Sequence, residues 1–260
     1  MVKQFYSLSR VAHRGGSLLA PENTLGAFRQ ALTLPVDTIE FDVQMTYDGY
    51  IVVFHDNTVD RLTEGTGNLL DLSLSDLRSL NAATNFSGGW PQREIIPTLC
   101  EVLALLSGHK QVYIELKNSK RDDVYGRYPR IVEAVVEEVR AAAGMFEQVL
   151  LISFDWQMLA DVNNLAPEIP LGIIVGYEWW LMQSPELVLA TLVEQATALQ
   201  CQWLNMDYRL FTSEILETAH EHGLKLGLWT VNTLEELQRL AVAGVDSLTT
   251  DRPDLFTHVL

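Results

Sequence analysis

Apolar runs and amphipathic stretches alternate along most of the chain, and this alternation predicts its architecture. Short runs rich in Val, Ile and Leu are separated by stretches with helical spacing, most regularly after residue 98. Eight such strands in 260 residues predict an α/β fold, the (β/α)8 TIM barrel, with a doubly wound open sheet as the competing topology. The eight parallel strands are predicted near Val11, Ile39, Ile114, Leu151, Ile173, Leu204, Leu228 and Leu248.

Several of the intervening helices begin at recognisable capping residues. Asn23 is the predicted N-cap of a helix over 23–34, and Asp155 is the predicted N-cap of the helix after the strand near Leu151. Ser184 and Thr233 are expected to begin two later helices.

A β-hairpin is predicted directly after the second barrel strand. Residues 38–43 and 50–55 are rich in β-branched and aromatic side chains, and they flank Asp48-Gly49, a dipeptide that favours a two-residue turn. The connection is too short for a parallel crossover, so the second run must return antiparallel. Counting inward from a two-residue turn places Asp42 opposite His55 on one face of the hairpin.

The segment 57–97 differs from the rest of the chain. It contains four glycines and only one short amphipathic stretch, at 74–80. No linker or repeat divides the remainder. We therefore predict a single domain over 1–260 that carries a small inserted subdomain at about 57–97.

Composition narrows the classes of partner. The formal net charge is −16, and nucleic acids and anionic membranes both require a basic surface, so neither is an expected partner. The N-terminal stretch has no apolar run of signal-peptide length, and no later run approaches a membrane span. These features predict a cytoplasmic protein without stable membrane insertion. Cys100 and Cys201 are too few for a disulfide framework.

Candidate functional residues collect at the carboxyl ends of the predicted strands, where TIM barrels place their active sites. Two pairs of them are spaced i, i+2 on a strand, so both members of each pair point to the same side. Together the strand ends and the hairpin bring carboxylates, imidazoles and cationic groups to one rim. The residues are His13, Arg14, Glu40, Asp42, His55, Glu115, Lys117 and Trp229.

The three carboxylates of Glu40, Asp42 and Glu115 suit a hard divalent cation, Mg²⁺ or Ca²⁺, because oxygen ligands are what these ions prefer. Without a counter-ion such a cluster repels itself and takes up a proton. One divalent ion together with Arg14 and Lys117 leaves a formal excess of one positive charge. A site of this charge favours a substrate that carries one negative charge, such as a phosphodiester.

The two histidines suit proton transfer. An imidazole titrates near neutral pH, so His13 and His55 are suited to act as one general base and one general acid. Trp229 is either a core residue or part of a pocket wall, and its place at a strand end favours the pocket.

The sequence alone does not fix the roles of three neighbouring features. Glu22 and Asn23 either cap the first helix or contact the substrate, and Asp56 is interpreted as a turn residue. The stretch Glu178-Trp179-Trp180 is expected to be an aromatic loop that either packs on the inserted segment or forms the mouth of the site.

A series of short motifs runs along nearly the whole chain. It comprises His13-Arg14-Gly15, Pro21-Glu22-Asn23-Thr24, Glu40-x-Asp42, Asp48-Gly49, His55-Asp56, Ile96-Pro97-Thr98-Leu99, Glu115-x-Lys117, Trp229-Thr230-Val231-Asn232 and Thr250-Asp251-x-Pro253. In their order and joint occurrence, these motifs resemble those of the glycerophosphodiester phosphodiesterase family. Cys100 departs from the family pattern, which often has an acidic residue after Pro-Thr-Leu.

The resemblance implies metal-dependent hydrolysis of glycerophosphodiesters to an alcohol and sn-glycerol 3-phosphate on a TIM barrel with a small insertion. It also implies a role for each candidate residue. His13 and His55 would be the acid/base pair, Glu40, Asp42 and Glu115 the metal ligands, Arg14 and Lys117 the phosphate-binding cations, and Trp229 a wall of the glycerol pocket.

Three other functions can be set beside this one on the same residues. A phospholipase-D-like or cyclising phosphodiesterase, acting on a lysophospholipid or a related diester, would share the same site. A Schiff-base barrel aldolase using Lys117 is disfavoured, because the neighbouring Glu115 should keep the lysine charged. A non-catalytic glycerophosphodiester-binding protein is disfavoured because no member of the constellation is missing.

Overall fold

The sheet closes on itself. A computed structural model describes residues 8–118, 128–183 and 185–259. The strands are β1 (Ser9–Ala12), β2 (Thr38–Met45), β3 (Ile51–Val53), β4 (Gln111–Leu116), β5 (Val149–Ser153), β6 (Leu171–Val175), β7 (Trp203–Asp207), β8 (Lys225–Trp229) and β9 (Ser247–Thr250). All but β3 run parallel, and β1 pairs with both β2 and β9. The predicted (β/α)8 TIM barrel is confirmed, and the open sheet is wrong because it would leave the end strands unpaired.

Helices connect the strands and cover the outside of the barrel. They are α1 (Leu25–Ala31), α2 (Leu74–Ser79), α3 (Leu99–Leu106), α4 (Tyr128–Ala141), α5 (Trp156–Leu165), α6 (Tyr177–Leu181), α7 (Pro185–Ala198), α8 (Ser213–Glu221) and α9 (Leu234–Ala243). In the described ranges, no helix has both the length and the apolar character needed to span a membrane.

Two of the four capping predictions are confirmed. Asp155 accepts hydrogen bonds from the first turn of α5, and Thr233 accepts one from the first turn of α9. The N-cap of α1 is Thr24 rather than Asn23, and the helix is shorter than predicted at both ends. The cap expected at Ser184 lies outside the described residues.

Side chains of the barrel strands alternate between two environments. On β2, Ile39, Phe41 and Val43 pack into the main core between the strands and the helices. The intervening Glu40 and Asp42 are buried as well, on the opposite face of the same strand. This alternation turns the acidic residues of β2 away from the apolar core.

The hairpin formed by β2 and β3 differs from the prediction by one residue. Met45 pairs with Ile51, and the Thr46 amide donates to the Tyr50 carbonyl at 2.9 Å. The loop between Thr46 and Tyr50 has three residues and ends at Gly49, whose φ is +90°. A three-residue loop with glycine in the left-handed conformation is a common alternative to the two-residue turn. The Phe54 amide donates to the Asp42 carbonyl at 3.0 Å. The predicted pairing of Asp42 with His55 is therefore wrong, and His55 follows the paired segment.

The segment 57–97 contributes to an apolar cluster of its own, separate from the main core. The fully buried Val52 of β3 and Leu77 of α2 are both members of this cluster, so β3 is continuous with it. The cluster comprises Val52, Phe54, Val59, Leu62, Leu69, Leu70, Leu77, Ala82 and Ile96. The division of the chain into a barrel and an inserted subdomain stays a prediction.

Candidate active site

Three carboxylates from two adjacent strands meet at the carboxyl end of the barrel. Glu40 and Asp42 lie on β2, and Asp42 is the register partner of Glu115 on β4. One oxygen atom from each side chain lies within 4.8 Å of the others, and all three residues are buried. Asp42 Oδ1 accepts no hydrogen bond from any residue that the structure describes. A buried all-oxygen donor set with an unsatisfied atom fits a hard divalent cation.

Burial, mutual repulsion and the neighbouring cations shift the pKa values of the three carboxylates in different directions. Burial raises the pKa of Glu40 to about 8, and the neighbouring Asp42 adds to the rise. Burial also raises the pKa of Glu115, again with a contribution from Asp42. For Asp42 itself burial acts in the same direction, but Arg14 and Lys117 outweigh it and hold the pKa well below the usual range. The cluster by itself therefore holds a proton at neutral pH, as the sequence predicts.

Arg14 is tied to the carboxylates through both its backbone and its side chain. It lies in the 3₁₀ turn after β1 with φ of +52°, an uncommon conformation for a residue with a side chain. Its backbone amide donates to Glu40 Oε2 at 3.0 Å, its Nη1 donates to Glu22 Oε1 at 2.8 Å, and its Nε lies 3.3 Å from Asp42 Oδ2. The two side-chain contacts hold the guanidinium beside the carboxylates of Glu22 and Asp42.

Lys117 is the second cation at the cluster. Its Nζ lies 2.8 Å from Glu115 Oε1 and 3.6 Å from Asp42 Oδ1. Burial lowers the pKa of Lys117, but these two carboxylates outweigh burial and the net pKa is raised. A Schiff-base nucleophile needs a depressed pKa, so the environment of Lys117 argues against the aldolase interpretation.

Asn23 contacts the acidic cluster instead of capping α1. Its Nδ2 donates to Asp42 Oδ2 at 2.9 Å, and its backbone has φ of +60°. Asparagine tolerates the left-handed region better than most residues, so the strained backbone and the buried amide are compatible. Of the two roles that the sequence left open for Asn23, the cap is therefore wrong.

His13 is oriented by an aspartate from the other end of the chain. Its Nδ1 lies 2.6 Å from Asp251 Oδ1, and Asp251 also accepts hydrogen bonds from Ser17 and Asn232. Burial lowers the pKa of His13, but Asp251 and Glu40 outweigh burial and the net pKa is raised. The pKa of Asp251 falls to about 2, because its bond to His13 overcomes the effect of burial.

His55 is oriented by the residue that follows it. Its Nδ1 lies 2.7 Å from Asp56 Oδ1, and Asp56 Oδ2 accepts from Arg61 Nε at 2.5 Å. Arg61 extends from the inserted segment and also donates to Glu22 at 2.7 and 2.9 Å. Asp56 is therefore more than a turn residue, since it positions His55 and is itself held by a cation.

Both histidines open onto one small cavity of about 160 Å³ at the mouth of the barrel. Trp229 forms part of its wall and contacts Phe154 edge-on, with ring centroids 5.6 Å apart. Of the two positions that the sequence left open for Trp229, the structure has the one in the pocket wall. The cavity is lined by His13, Arg14, Glu40, His55, Glu115 and Trp229, among others.

A model of the glycerophosphoryl diester phosphodiesterase family matches residues 13–255. The chain belongs to this family. It is 35% identical over 252 residues to the glycerophosphodiester phosphodiesterase of Caldanaerobacter subterraneus subsp. tengcongensis, covering 96% of each chain. It is 31% identical over 261 residues to the Bacillus subtilis enzyme of the same name, covering 96% of this chain and 85% of that one.

Solved structures of the family share the fold over almost the whole chain. A phosphodiesterase from Oleispira antarctica, in complex with the product sn-glycerol-3-phosphate, has a TM-score of 0.83 at 27% identity and covers 96% of this chain and 95% of that chain. The Agrobacterium tumefaciens glycerophosphodiester phosphodiesterase has a TM-score of 0.79 at 28% identity, with 97% and 100% covered. As a member of this family, the chain is a phosphoric diester hydrolase that acts on glycerophosphodiesters.

The structure brings all eight predicted site residues of this family member to one end of the barrel, and it adds residues that sequence reasoning missed. Asp251 and Asp56 belong to quoted motifs, but nothing in their spacing reveals that each would hold a histidine. Arg61 belongs to none of the motifs, so no signal pointed to it. The stretch 178–180 is not a loop but part of the short helix α6, and Glu178 and Trp179 border a second cavity beside His55.

Proposed function

We propose that this member of the family hydrolyses glycerophosphodiesters to an alcohol and sn-glycerol 3-phosphate with one divalent cation, Mg²⁺ or Ca²⁺. The observation that carries the proposal is that two imidazoles, each held by an aspartate, open onto the cavity that also contains carboxylates of the acidic cluster. The complex of the Oleispira antarctica relative with sn-glycerol-3-phosphate supports the choice of product.

The phosphoryl group is bound by positive charge. Glu40, Asp42 and Glu115 would hold the cation, which when bound stabilises negative charge on the phosphoryl oxygens. Arg14 and Lys117 flank the same carboxylates and supply two further positive charges. Substrate phosphate binds between these groups, because its single negative charge complements the local excess of positive charge.

The two histidines move the protons. Because Nδ1 of each ring is bonded to an aspartate, each Nε2 is left for the cavity side. One imidazole accepts the proton of the attacking oxygen, and the other donates a proton to the leaving alkoxide. Asp251 and Asp56 fix the ring orientations, and Trp229 provides the wall against which the glycerol backbone packs.

The attacking oxygen defines an alternative within the same site. Water attacks directly in simple hydrolysis, whereas the 2-hydroxyl of the glycerol would attack first in a cyclising or phospholipase-D-like enzyme acting on a lysophospholipid. The arrangement of His13 and His55 serves both routes. Hydrolysis in ¹⁸O-labelled water, with a search for a cyclic phosphate by ³¹P NMR, separates them, since only accumulation of the cyclic species supports the second route.

Replacement of the histidines tests the acid/base assignment. His13→Ala and His55→Ala should each lower kcat for glycerophosphocholine or glycerophosphoethanolamine by about 10²–10⁴-fold, the usual contribution of a general acid or base. His109→Ala is the matched control, because His109 is exposed on the connection between α3 and β4. The circular dichroism of each variant should equal that of the unmodified protein. Full activity in either active-site variant would contradict the assignment.

Two further assignments belong to the proposal. The chain forms one domain with an inserted subdomain over about 57–97, supported by the separate apolar cluster of that segment. The protein is cytoplasmic, supported by the unpaired thiols of Cys100 and Cys201.

A further inference from the structure

A second, larger cavity lies beside His55 and has no role in the chemistry described so far. Its volume is about 850 Å³, compared with about 160 Å³ for the cavity that contains both histidines. The two cavities share His55, Glu115, Phe154 and Ile174, so they meet at the acid/base residue and at one of the carboxylates. A diester whose glycerol phosphate occupies the small cavity would therefore extend its other alcohol into the large one.

The walls of the large cavity are aromatic. Trp156, at the start of α5, and Trp179, on α6, both line it, with ring centroids 5.2 Å apart and planes inclined by 64°. Phe154 lies between the two cavities and is 48% exposed, an unusual exposure for a large apolar side chain at a strand end. Trp156, Trp179 and Phe154 thus give this cavity three aromatic side chains. The negative face of such a ring attracts cations, and quaternary ammonium groups in particular.

The same cavity carries an excess of negative charge. Asp56, Asp155 and Glu178 line it in addition to Glu115, whereas Lys117 is its one Lys or Arg side chain among the described residues. Lys117 is already bound to Glu115. Glu178 is exposed on α6, and the nearby Arg209 is engaged by Asp207 at 2.6 Å. Among the residues that the structure describes, the charges at the mouth of the cavity therefore favour a cation over an anion.

Building on the proposed function, we propose that this cavity is the subsite for the leaving alcohol and that it selects a cationic head group, above all a quaternary ammonium such as choline. A neutral polyol such as glycerol or inositol would gain neither the cation–π attraction nor the attraction to Glu178. An acyl chain would gain contact with the indoles but no attraction to Glu178. Trp156 and Trp179 are thus assigned as specificity-determining residues.

A pair of substrates that differ only in charge provides the sharpest test. Glycerophosphocholine is compared with the 3,3-dimethylbutyl ester of glycerol phosphate, in which carbon replaces the quaternary nitrogen at nearly constant shape. We expect the unmodified enzyme to favour the choline ester about tenfold in kcat/KM, which corresponds to about 1.4 kcal/mol. A ratio near one, or a preference for the neutral ester, would show that the cavity is merely apolar and would overturn the proposal.

Variants assign the preference to named side chains. Trp179→Leu should reduce the ratio of the two kcat/KM values to about two or less, whereas Trp180→Leu should leave it unchanged, because Trp180 lines a different cavity. Glu178→Gln should reduce the ratio about two- to threefold at low ionic strength and less in high salt, where surface charge is screened. An unchanged ratio in both Trp179→Leu and Glu178→Gln would contradict the assignment.

Direct binding separates this inference from the proposed function. Choline chloride is titrated into the unmodified protein and into Trp179→Leu, and binding is measured by isothermal titration calorimetry. Binding that weakens at least fivefold in the variant supports the subsite even if no glycerophosphodiester is hydrolysed, an outcome that would refute only the catalytic proposal. Absence of choline binding to the unmodified protein overturns the subsite.

Discussion

Binding of a divalent cation to the acidic cluster should release a proton, and the amount follows from the structure. Burial and the charge of Asp42 raise the pKa of Glu40 to about 8 in the metal-free protein. At pH 7 a group with this pKa is roughly nine-tenths protonated, and a metal ligand must be deprotonated to bind. Each bound Mg²⁺ or Ca²⁺ should therefore displace about 0.9 proton at pH 7. Glu115, whose pKa burial also raises, adds to this release as the pH falls.

The sign and size of the pH dependence follow from the same competition. Protons compete with the cation for Glu40, so the apparent affinity should rise by about tenfold per pH unit up to pH 8 and then level off. From pH 6 to pH 8 the expected gain from Glu40 is roughly fiftyfold, or about 2.3 kcal/mol, because the group is still half protonated at pH 8. The pKa of Asp42 is held low, so this residue stays ionised throughout the range and adds nothing to the slope.

The assay is isothermal titration calorimetry of metal-free protein in two buffers with different ionisation enthalpies, PIPES and Tris. The difference between the two apparent enthalpies gives the number of protons released. Asp42→Asn should weaken binding and move the end of the pH slope below pH 8, because the charge that helps to raise the pKa of Glu40 is lost. Glu40→Gln should weaken binding and leave only the slope contributed by Glu115. An affinity for the cation that is equal at pH 6 and pH 8, with no proton released at pH 7, would refute this account of the cluster.

Three other predictions concern positioning, stability and backbone conformation. Asp251→Asn should lower kcat about a hundredfold and alter the pH–rate profile, because the ring of His13 loses its anionic partner, while Asp254→Asn, outside the site, should do neither. Burial raises the pKa of Glu138 to about 7, so ionisation of this carboxyl destabilises the fold as the pH rises from about 4.5 through 7. Glu138→Gln should therefore be more stable than the unmodified protein at pH 8, by about 1 kcal/mol after allowance for partial exposure. The two proteins should be equally stable near pH 4, as measured by urea denaturation. Gly15→Ala should destabilise the protein by about 1–3 kcal/mol in the same assay, since φ is +80° and the new Cβ would lie 2.9 Å from the Phe28 ring. A Glu138→Gln difference that is the same at both pH values, an unaltered profile in Asp251→Asn, or an unchanged midpoint in Gly15→Ala would each contradict the corresponding argument.

The sequence predicts the barrel and the rim residues because both depend on local periodicity. Alternation along β2 puts Glu40 and Asp42 on one face, and the common direction of the parallel strands brings Glu115 to the same end. Neither inference needs to know how any loop folds. For this reason the sequence alone predicts the eight strands and the acidic cluster.

The hairpin register shows where such reasoning fails. Thr46 Oγ1 donates to Asp48 Oδ1 at 2.7 Å and accepts from the Tyr50 amide at 2.9 Å, while the other contact of Asp48 is with the amide of Leu74. These bonds select the three-residue loop over the two-residue turn that Asp48-Gly49 favours. One of them comes from the inserted segment, so no pattern within the hairpin could reveal it.

The sequence does not predict the partners of the two histidines, for a related reason. His13 and Asp251 are separated by 238 positions, and their contact exists only because the first and last strands of the barrel are neighbours. Arg61 reaches Asp56 and Glu22 from an irregular segment without periodicity. Contacts of this kind depend on loop conformation and on closure of the whole barrel, and a sequence pattern constrains neither.

The pairing of β1 with β9 has a consequence for protein synthesis. His13 is synthesised 238 residues before Asp251, so a nascent chain cannot hold that imidazole with the aspartate until β9 has emerged and docked. A polypeptide truncated before β9 would therefore have an imidazole without its aspartate even if its preceding strands had already assembled.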